Sequence, residues 1–145
     1  MSLFDIFIYG SNQQLHQNPE LAWEETIAHD TICAFLSELD FKVTPRAYGV
    51  KTAFEARSES NDSRGRCVNF NAEYDALPGI GHGCGHNLIA IASLTGFLAL
   101  SSAVKRFGIP GKVQLLGTPA EEAGGGKITL LNAGAYDGVD VSLMG

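Results

Sequence analysis

The chain has 145 residues, 45% of them apolar, with a formal charge of -6 and a pI near 5.1. That length is enough for one domain with a hydrophobic core. The acidic balance argues against a nucleic-acid partner, whose phosphates call for a basic face, and bound cations would offset part of it.

Residues 1–16 fit a weakly patterned helix. Its first nine residues are apolar but carry Asp5 and no positive n-region, so no signal peptide is expected and the protein is read as cytoplasmic. His16-Gln-Asn-Pro19 interrupts the pattern. A second helix is predicted over 19–39, with Leu21, Ile27, Ile32, Phe35, Leu36 and Leu39 as its apolar stripe. Short strands are expected at 41–43 and 52–56. The polar run 58–65 reads as a surface loop, and its Asn61-Asp-Ser63 sequon as chance.

Residues 68–77 form the clearest predicted strand. Val68, Phe70, Ala72 and Tyr74 alternate with Asn69, Asn71, Glu73 and Asp75. A helix follows over 87–107, with Asn87 as N-cap, Lys105 and Arg106 in the last turn, then Gly108 and Pro110. It is apolar over most of its circumference, so it should be buried. Its apolar stretch 88–100 is broken by Ser93, Thr95 and Gly96 and is too short to span a bilayer. An apolar strand at 112–118, a short helix at 127–133 and a strand at 139–144 complete the chain. From Val68 onward the order strand, helix, strand, helix, strand predicts an α/β fold with a largely parallel sheet. No internal repeat or linker interrupts it.

The stretch Glu73-Tyr-Asp75-Ala-Leu-Pro-Gly-Ile-Gly-His82-Gly-Cys84-Gly-His86-Asn87 packs two carboxylates, two imidazoles and a thiol into one short segment. His82, Cys84 and His86 are spaced by two, so in extended backbone all three could face one site. Thiolate and imidazole suit zinc and similar metals. Downstream, Glu121 and Glu122 follow the strand at 112–118. In extended backbone they would diverge, one towards a metal and one towards substrate. Metal hydrolysis needs a carboxylate ligand and a carboxylate base. Both clusters follow a strand's carboxyl end, where α/β sheets bind ligands.

Each feature also has a plainer reading. The Cys and His residues could be ordinary loop residues, and His82 could serve only to shape the loop or contact substrate. The glutamate pair could be a solvated turn. Asp75 could cap its strand, or orient His86. Several other motifs fail. In Gly124-Gly-Gly-Lys-Ile-Thr129 the first glycine of a phosphate loop is replaced by Glu121 and the hydroxyl residue by Ile128. Cys84 stands where a dinucleotide fingerprint would have its third glycine. No Cys-x-x-Cys pair and no Gly-x-Ser-x-Gly elbow is present. The three cysteines, Cys33, Cys67 and Cys84, do not form a paired disulfide framework.

At these clusters the chain resembles the di-metal peptidase family of aminoacylases, glutamate carboxypeptidases and auxin-conjugate amidohydrolases. The matching residues are Asn71-Ala-Glu-Tyr-Asp-Ala-Leu-Pro78, His82-Gly-Cys-Gly-His-Asn87 and Gly117-Thr-Pro-Ala-Glu-Glu122, with His16-Gln-Asn-Pro-Glu-Leu-Ala-Trp-Glu-Glu25 as the N-terminal segment. Asn87, where many members carry Asp, resembles the subgroup of p-aminobenzoyl-glutamate hydrolases and β-alanyl-lysine-type dipeptidases. The resemblance implies a three-layer α/β sandwich with a mixed, largely parallel sheet, incomplete in this chain.

The resemblance further implies two divalent metal ions, zinc first, with manganese or cobalt as alternatives. Cys84, His86 and Glu122 would be ligands, Glu121 the general base and Asp75 the aspartate beside the metals. His82 and Asn87 would bind substrate or shape the loop. The implied reaction is hydrolysis of an amide or peptide bond in a small N-acyl amino acid or dipeptide-like substrate. The full-length enzyme would be a homodimer, with no nucleic-acid or membrane partner. Family members are much longer, with further ligand histidines and a lid and dimerisation domain. The chain is therefore expected to be an N-terminal piece of the catalytic domain and inactive alone, with exposed sheet edges and poor solubility. The alternatives are a non-catalytic interaction module, and a metal-buffering or redox role for Cys84.

Overall fold

The computed structural model describes residues 3–60, 62 and 64–145, with side chains from residue 8 onward. The sequon's Asn61 and Ser63 lie outside the described residues. Helix α1 spans Leu3–Gln17. It stops where the amide and side chain of Asn18 both bond Gln14 O, just before Pro19, which cannot extend a helix.

The second helix is shorter than predicted. α2 spans only Thr26–Glu38. Residues 18–25 are a loop in which Trp23 adopts φ 71. The reason is the supply of acceptors to the helix start. Glu20 turns back, and its carboxylate accepts from the amides of Ile27 at 2.9 Å and Ala28 at 3.0 Å. It can do so only from outside the helix. Ile32, Phe35 and Leu36 of the predicted stripe are buried, whereas Leu21, Ile27 and Leu39 are exposed.

Strand β1 (Lys42–Pro45) leads through a tight turn at Ala47–Gly49 into β2 (Phe54–Glu59). β2 absorbs Ser58 and Glu59, predicted as loop, because its pairing with β4 runs to Glu59 opposite Lys112. β3 spans Cys67–Ala72, α3 His86–Arg106 and β4 Lys112–Gly117. A one-turn helix α4 (Glu121–Gly124), α5 (Gly126–Asn132) and β5 (Val141–Leu143) follow. Among the described residues the sheet order is β1-β2-β4-β3-β5. β3 pairs in parallel with β4 and β5, as the order from Val68 predicts, while β1–β2 and β2–β4 are antiparallel.

β3 ends at Ala72, five residues before the predicted end, where its ladder with β4 closes at Gly117. Residues 73–76 continue off the sheet, with the Ala76 amide bonded to Glu20 O at 2.8 Å. The polar positions Asn69, Asn71, Glu73 and Asp75 are buried as well as Tyr74, so this central strand is covered on both sides.

The coverings make three layers. On one face α1, α2 and α3 bury Leu15, Ile32, Leu36, Leu94 and Phe97 against Phe54, Tyr74, Val113 and Leu115. On the other, Leu130 of α5 packs with Val50, Ala53, Leu116 and Ala135. Each large core side chain contributes about 1.5–3 kcal/mol through burial. α3 has the length and apolar composition of a membrane span. Here its apolar side, through Ala90, Leu94, Phe97 and Val104, faces the core. Asn87 does not cap α3. Gly85 occupies that position with φ 88, and Asn87 lies inside the helix, its amide donating to Asn12 of α1 at 2.7 Å.

Candidate metal centre

The parallel neighbours β3 and β4 end side by side, with Ala72 opposite Gly117 and the Thr118 amide bonded to Ala72 O at 2.8 Å. Glu73 and Asp75 leave the end of β3, and Glu121 and Glu122 follow the end of β4. The chain passes Gly117 because a Cβ there would lie 2.3 Å from the Phe54 ring and 2.5 Å from the Tyr74 hydroxyl. Opposite these ends, Gly85 turns the chain so that His86 opens α3 with its ring inside the rim.

His86 is the hub. Its Nδ1 lies 3.0 Å from Asp75 Oδ1 and 2.9 Å from Asp75 O. Its Nε2 faces Glu73 at 3.4 Å, Glu122 at 3.7 Å and Glu121 at 3.8 Å. Donor atoms of Cys84, His86 and Glu122 all lie within 4.8 Å of one another. Asp75 also accepts from the Glu122 amide through Oδ2 at 2.9 Å, so one carboxylate braces two members of that trio. The glutamate pair does not diverge in extended backbone. It begins α4, and both carboxylates come within 4 Å of the same imidazole nitrogen.

The electrostatics favour a cation. Four carboxylates crowd about one imidazole, with Lys127 paired to the buried Glu73. The hydrogen bond that His86 donates to Asp75 raises the His86 pKa against the effect of burial. Burial would raise Asp75, but His86 and the amides of Glu122 and Glu121 outweigh it, and the net shift is downward. Burial raises the Cys84 thiol, and the neighbouring Glu122 adds to this. A thiolate, an imidazole and a carboxylate together are a donor set that suits a divalent transition metal.

His82 is not brought to this trio. The segment before His86 is a series of turns, closed by the bridge between Leu77 and Gly81, rather than extended chain. The alternation of side chains therefore fails, and the half-buried His82 ring meets the backbone of Leu15 and lies near His16. Asn87 ties α3 to α1. Two residues that sequence reasoning left aside belong to the site's surroundings. Lys127, set aside with the failed phosphate loop, pairs with Glu73. Glu25, noted only as part of the N-terminal segment, bonds the backbone just before Glu121. A groove of about 250 Å³ lined by Leu21, Trp23, Ala76, Pro78, Glu122 and Ala123 opens beside the centre.

No protein-family profile matches the chain. It is 44% identical over 136 residues to the Xaa-Arg dipeptidase of Mus musculus, covering 87% of this chain and 31% of that protein. It is 30% identical over 147 residues to a p-aminobenzoyl-glutamate hydrolase polypeptide of Escherichia coli, covering 90% and 30% respectively. The chain thus spans about a third of the curated relatives it matches. Among solved structures, a dinuclear metal-binding peptidase of the M20 family from Bacillus subtilis superposes with a TM-score of 0.83 at 24% identity, over 95% of this chain and 42% of that one. That likeness bears on the fold alone.

Proposed function

We propose that this chain belongs to the M20 family of peptidases and amidohydrolases, in line with its dipeptidase and hydrolase relatives, and carries the metal-holding and proton-transfer part of an enzyme that hydrolyses an amide or peptide bond. The observation that supports this most is the convergence of Cys84, His86 and Glu122, whose donor atoms lie within 4.8 Å of one another, with Asp75 bracing two of them. The substrate class is a small N-acyl amino acid or dipeptide, in line with the names of the dipeptidase and hydrolase relatives.

Cys84 Sγ, His86 Nε2 and Glu122 would hold a divalent cation. We assign two such ions to the complete enzyme, zinc first. A bound cation supplies a Lewis acid that polarises a carbonyl and lowers the pKa of water, towards ~7 in zinc sites. The rest is the work of side chains. Asp75 accepts from Nδ1 of His86 and so keeps Nε2 free of a proton and aimed at the cluster. Glu121, with its side chain 40% exposed and 3.8 Å from His86, is the carboxylate of the pair more open to solvent. It takes a proton from the attacking water and returns it to the leaving amine. In the full-length protein Glu121→Gln should keep the metal and lose turnover. Substantial activity of that variant would remove Glu121 from this role.

The test of the metal centre is elemental analysis of the purified 145-residue chain beside Cys84→Ser. Near-stoichiometric metal that is lost in the variant supports the assignment, and no metal in either argues against it. A second reading, a non-catalytic module that binds a protein partner, draws on the exposed apolar residues Ile128, Leu131, Val141, Leu143 and Met144 along α5 and β5. A monodisperse monomer in sedimentation would count against it.

A further inference from the structure

Glu25 is fully buried, yet among the described residues no cation pairs with it. Its carboxylate accepts from the Thr52 hydroxyl at 2.8 Å through Oε2 and from the Ala120 amide at 2.8 Å through Oε1. These partners lie 27 and 95 residues away in the chain. Beneath it, Tyr74 donates to Thr52 O at 2.5 Å and stacks on Phe54. The carboxylate thus joins the start of α2, the approach to β2 and the turn after β4 at one buried point.

Ala120 is the unusual partner. It sits at φ 57 and ψ 47, the left-handed region that a Cβ disfavours. That conformation reverses the chain after Pro119, so that Glu121 and Glu122 start α4 beneath His86. The backbone has little room to choose another path. A Cβ on Gly126 would lie 1.7 Å from Pro119 O, and the Gly126 amide donates to Ala120 O at 3.2 Å. Two residues on, the Glu122 amide meets Asp75 Oδ2.

We propose that Glu25 is a positioning residue for the candidate metal centre: its carboxylate holds Ala120 in the left-handed conformation and thereby sets where Glu121 and Glu122 point. What the two glutamates then do rests on the metal-hydrolase reading above. The positioning itself is a property of the chain with or without metal.

The test uses the 145-residue chain with Glu25→Ala and with Glu25→Asp, which keeps the charge but is one methylene short. Two readouts are taken. Amide hydrogen exchange in the metal-free chain reports the Ala120 and Glu122 bonds directly. Titration with cobalt(II) reports the ligand set through the Cys84 thiolate absorption. The expected result is selective loss of protection at Ala120 and Glu122, core amides of β3 and α3 unchanged, and cobalt affinity lowered about tenfold or more. Adding Ala120→Gly to Glu25→Ala should recover part of the affinity, because glycine takes that φ without strain. Unchanged exchange at Ala120 and Glu122 in a folded variant overturns the inference. So does failure of both variants to fold, because Glu25 would then hold the whole fold rather than one turn. If the unsubstituted chain does not bind cobalt, the metal-centre reading falls, while the exchange data still decide the role of Glu25.

Discussion

Asp75 and His86 are joined twice, with the imidazole Nδ1 3.0 Å from the carboxylate Oδ1 and 2.9 Å from the backbone oxygen of the same residue. Both partners are acceptors, so the Nδ1 must carry the proton. In the neutral ring the lone pair then sits on Nε2, towards Glu73, Glu121 and Glu122. The tautomer that a metal requires is therefore built into the chain. Asp75→Asn removes the charge behind this arrangement and puts an amide group against either Nδ1 or the Glu122 amide. Metal affinity should fall about 10- to 100-fold. Competition titration with a chromophoric chelator measures it, and an unaltered dissociation constant would remove Asp75 from this role.

The same pair shapes stability against pH in the metal-free chain. Asp75 raises the His86 pKa above its ordinary 6.5, against burial. A pKa higher in the folded than in the unfolded chain adds stability that is complete below 6.5 and fades as pH rises through the folded value. Asp75 moves the other way, because His86 and two amides outweigh its burial. Its contribution is complete above 3.8 and fades as pH falls through its lowered value. As far as this pair is concerned, stability is greatest between 3.8 and 6.5. Thermal melts with chelator present should show both flanks in the wild type and shallower ones in Asp75→Asn. Equal slopes in the two proteins would contradict the linkage.

Metal binding should release protons. Burial and the nearby Glu122 hold the Cys84 thiol above its ordinary 9.0, and His86 is raised by Asp75. Both must lose a proton to become ligands. Zinc binding below pH 6.5 should therefore displace one proton from each side chain, and affinity should climb with pH. Calorimetry in two buffers of different ionisation enthalpy counts the protons. A buffer-independent heat would mean that Cys84 and His86 are not ligands.

How much of this was legible in the chain follows from how local each cause is. α3, β4, α5 and β5 were close to their expected bounds because their apolar runs end at nearby glycines, prolines or charges. Cys84, His86 and Glu122 stand out by residue type in the segments that follow β3 and β4. Other features depend on distant partners. The start of α2 is set by the carboxylate of Glu20, placed outside the helix it caps. The polar side of β3 is buried because Asn69 and Asn71 bond Ser142, and Asn71 also bonds Tyr136, far along the chain. His82 shares the two-residue spacing of the proposed ligands Cys84 and His86, but the turn in which the Gly85 amide donates to His82 O at 3.0 Å breaks the alternation on which that spacing relies.

Gly117→Ala should destabilise the chain without touching a ligand. The new Cβ would meet the Phe54 ring at 2.3 Å and the Tyr74 hydroxyl at 2.5 Å, both fully buried. Overpacking of this kind costs about 1–3 kcal/mol. Urea unfolding should show a lower midpoint at an unchanged slope. A midpoint equal to wild type would mean that β4 shifts freely, which its double pairing to β2 and β3 argues against.

Lys127 and Glu73 lead to two opposed effects in one substitution. Glu73 is buried and lies 3.4 Å from His86 Nε2, and Lys127 is the cation paired with it. Lys127→Met leaves that carboxylate without its partner. Loss of a fully buried partner costs about 3–5 kcal/mol. The Lys127 side chain is 36% exposed, so solvent screening reduces the expected loss to roughly 1–2 kcal/mol. Removing a positive charge beside the centre also removes repulsion against an incoming cation, and it frees Glu73 to face His86 Nε2 undivided. The metal-free variant should therefore melt earlier than wild type, while cobalt binds it more tightly. Stability by urea titration and affinity by cobalt absorption are read on the same sample. Weaker cobalt binding would mean that Lys127 holds Glu73 in a position the metal site needs.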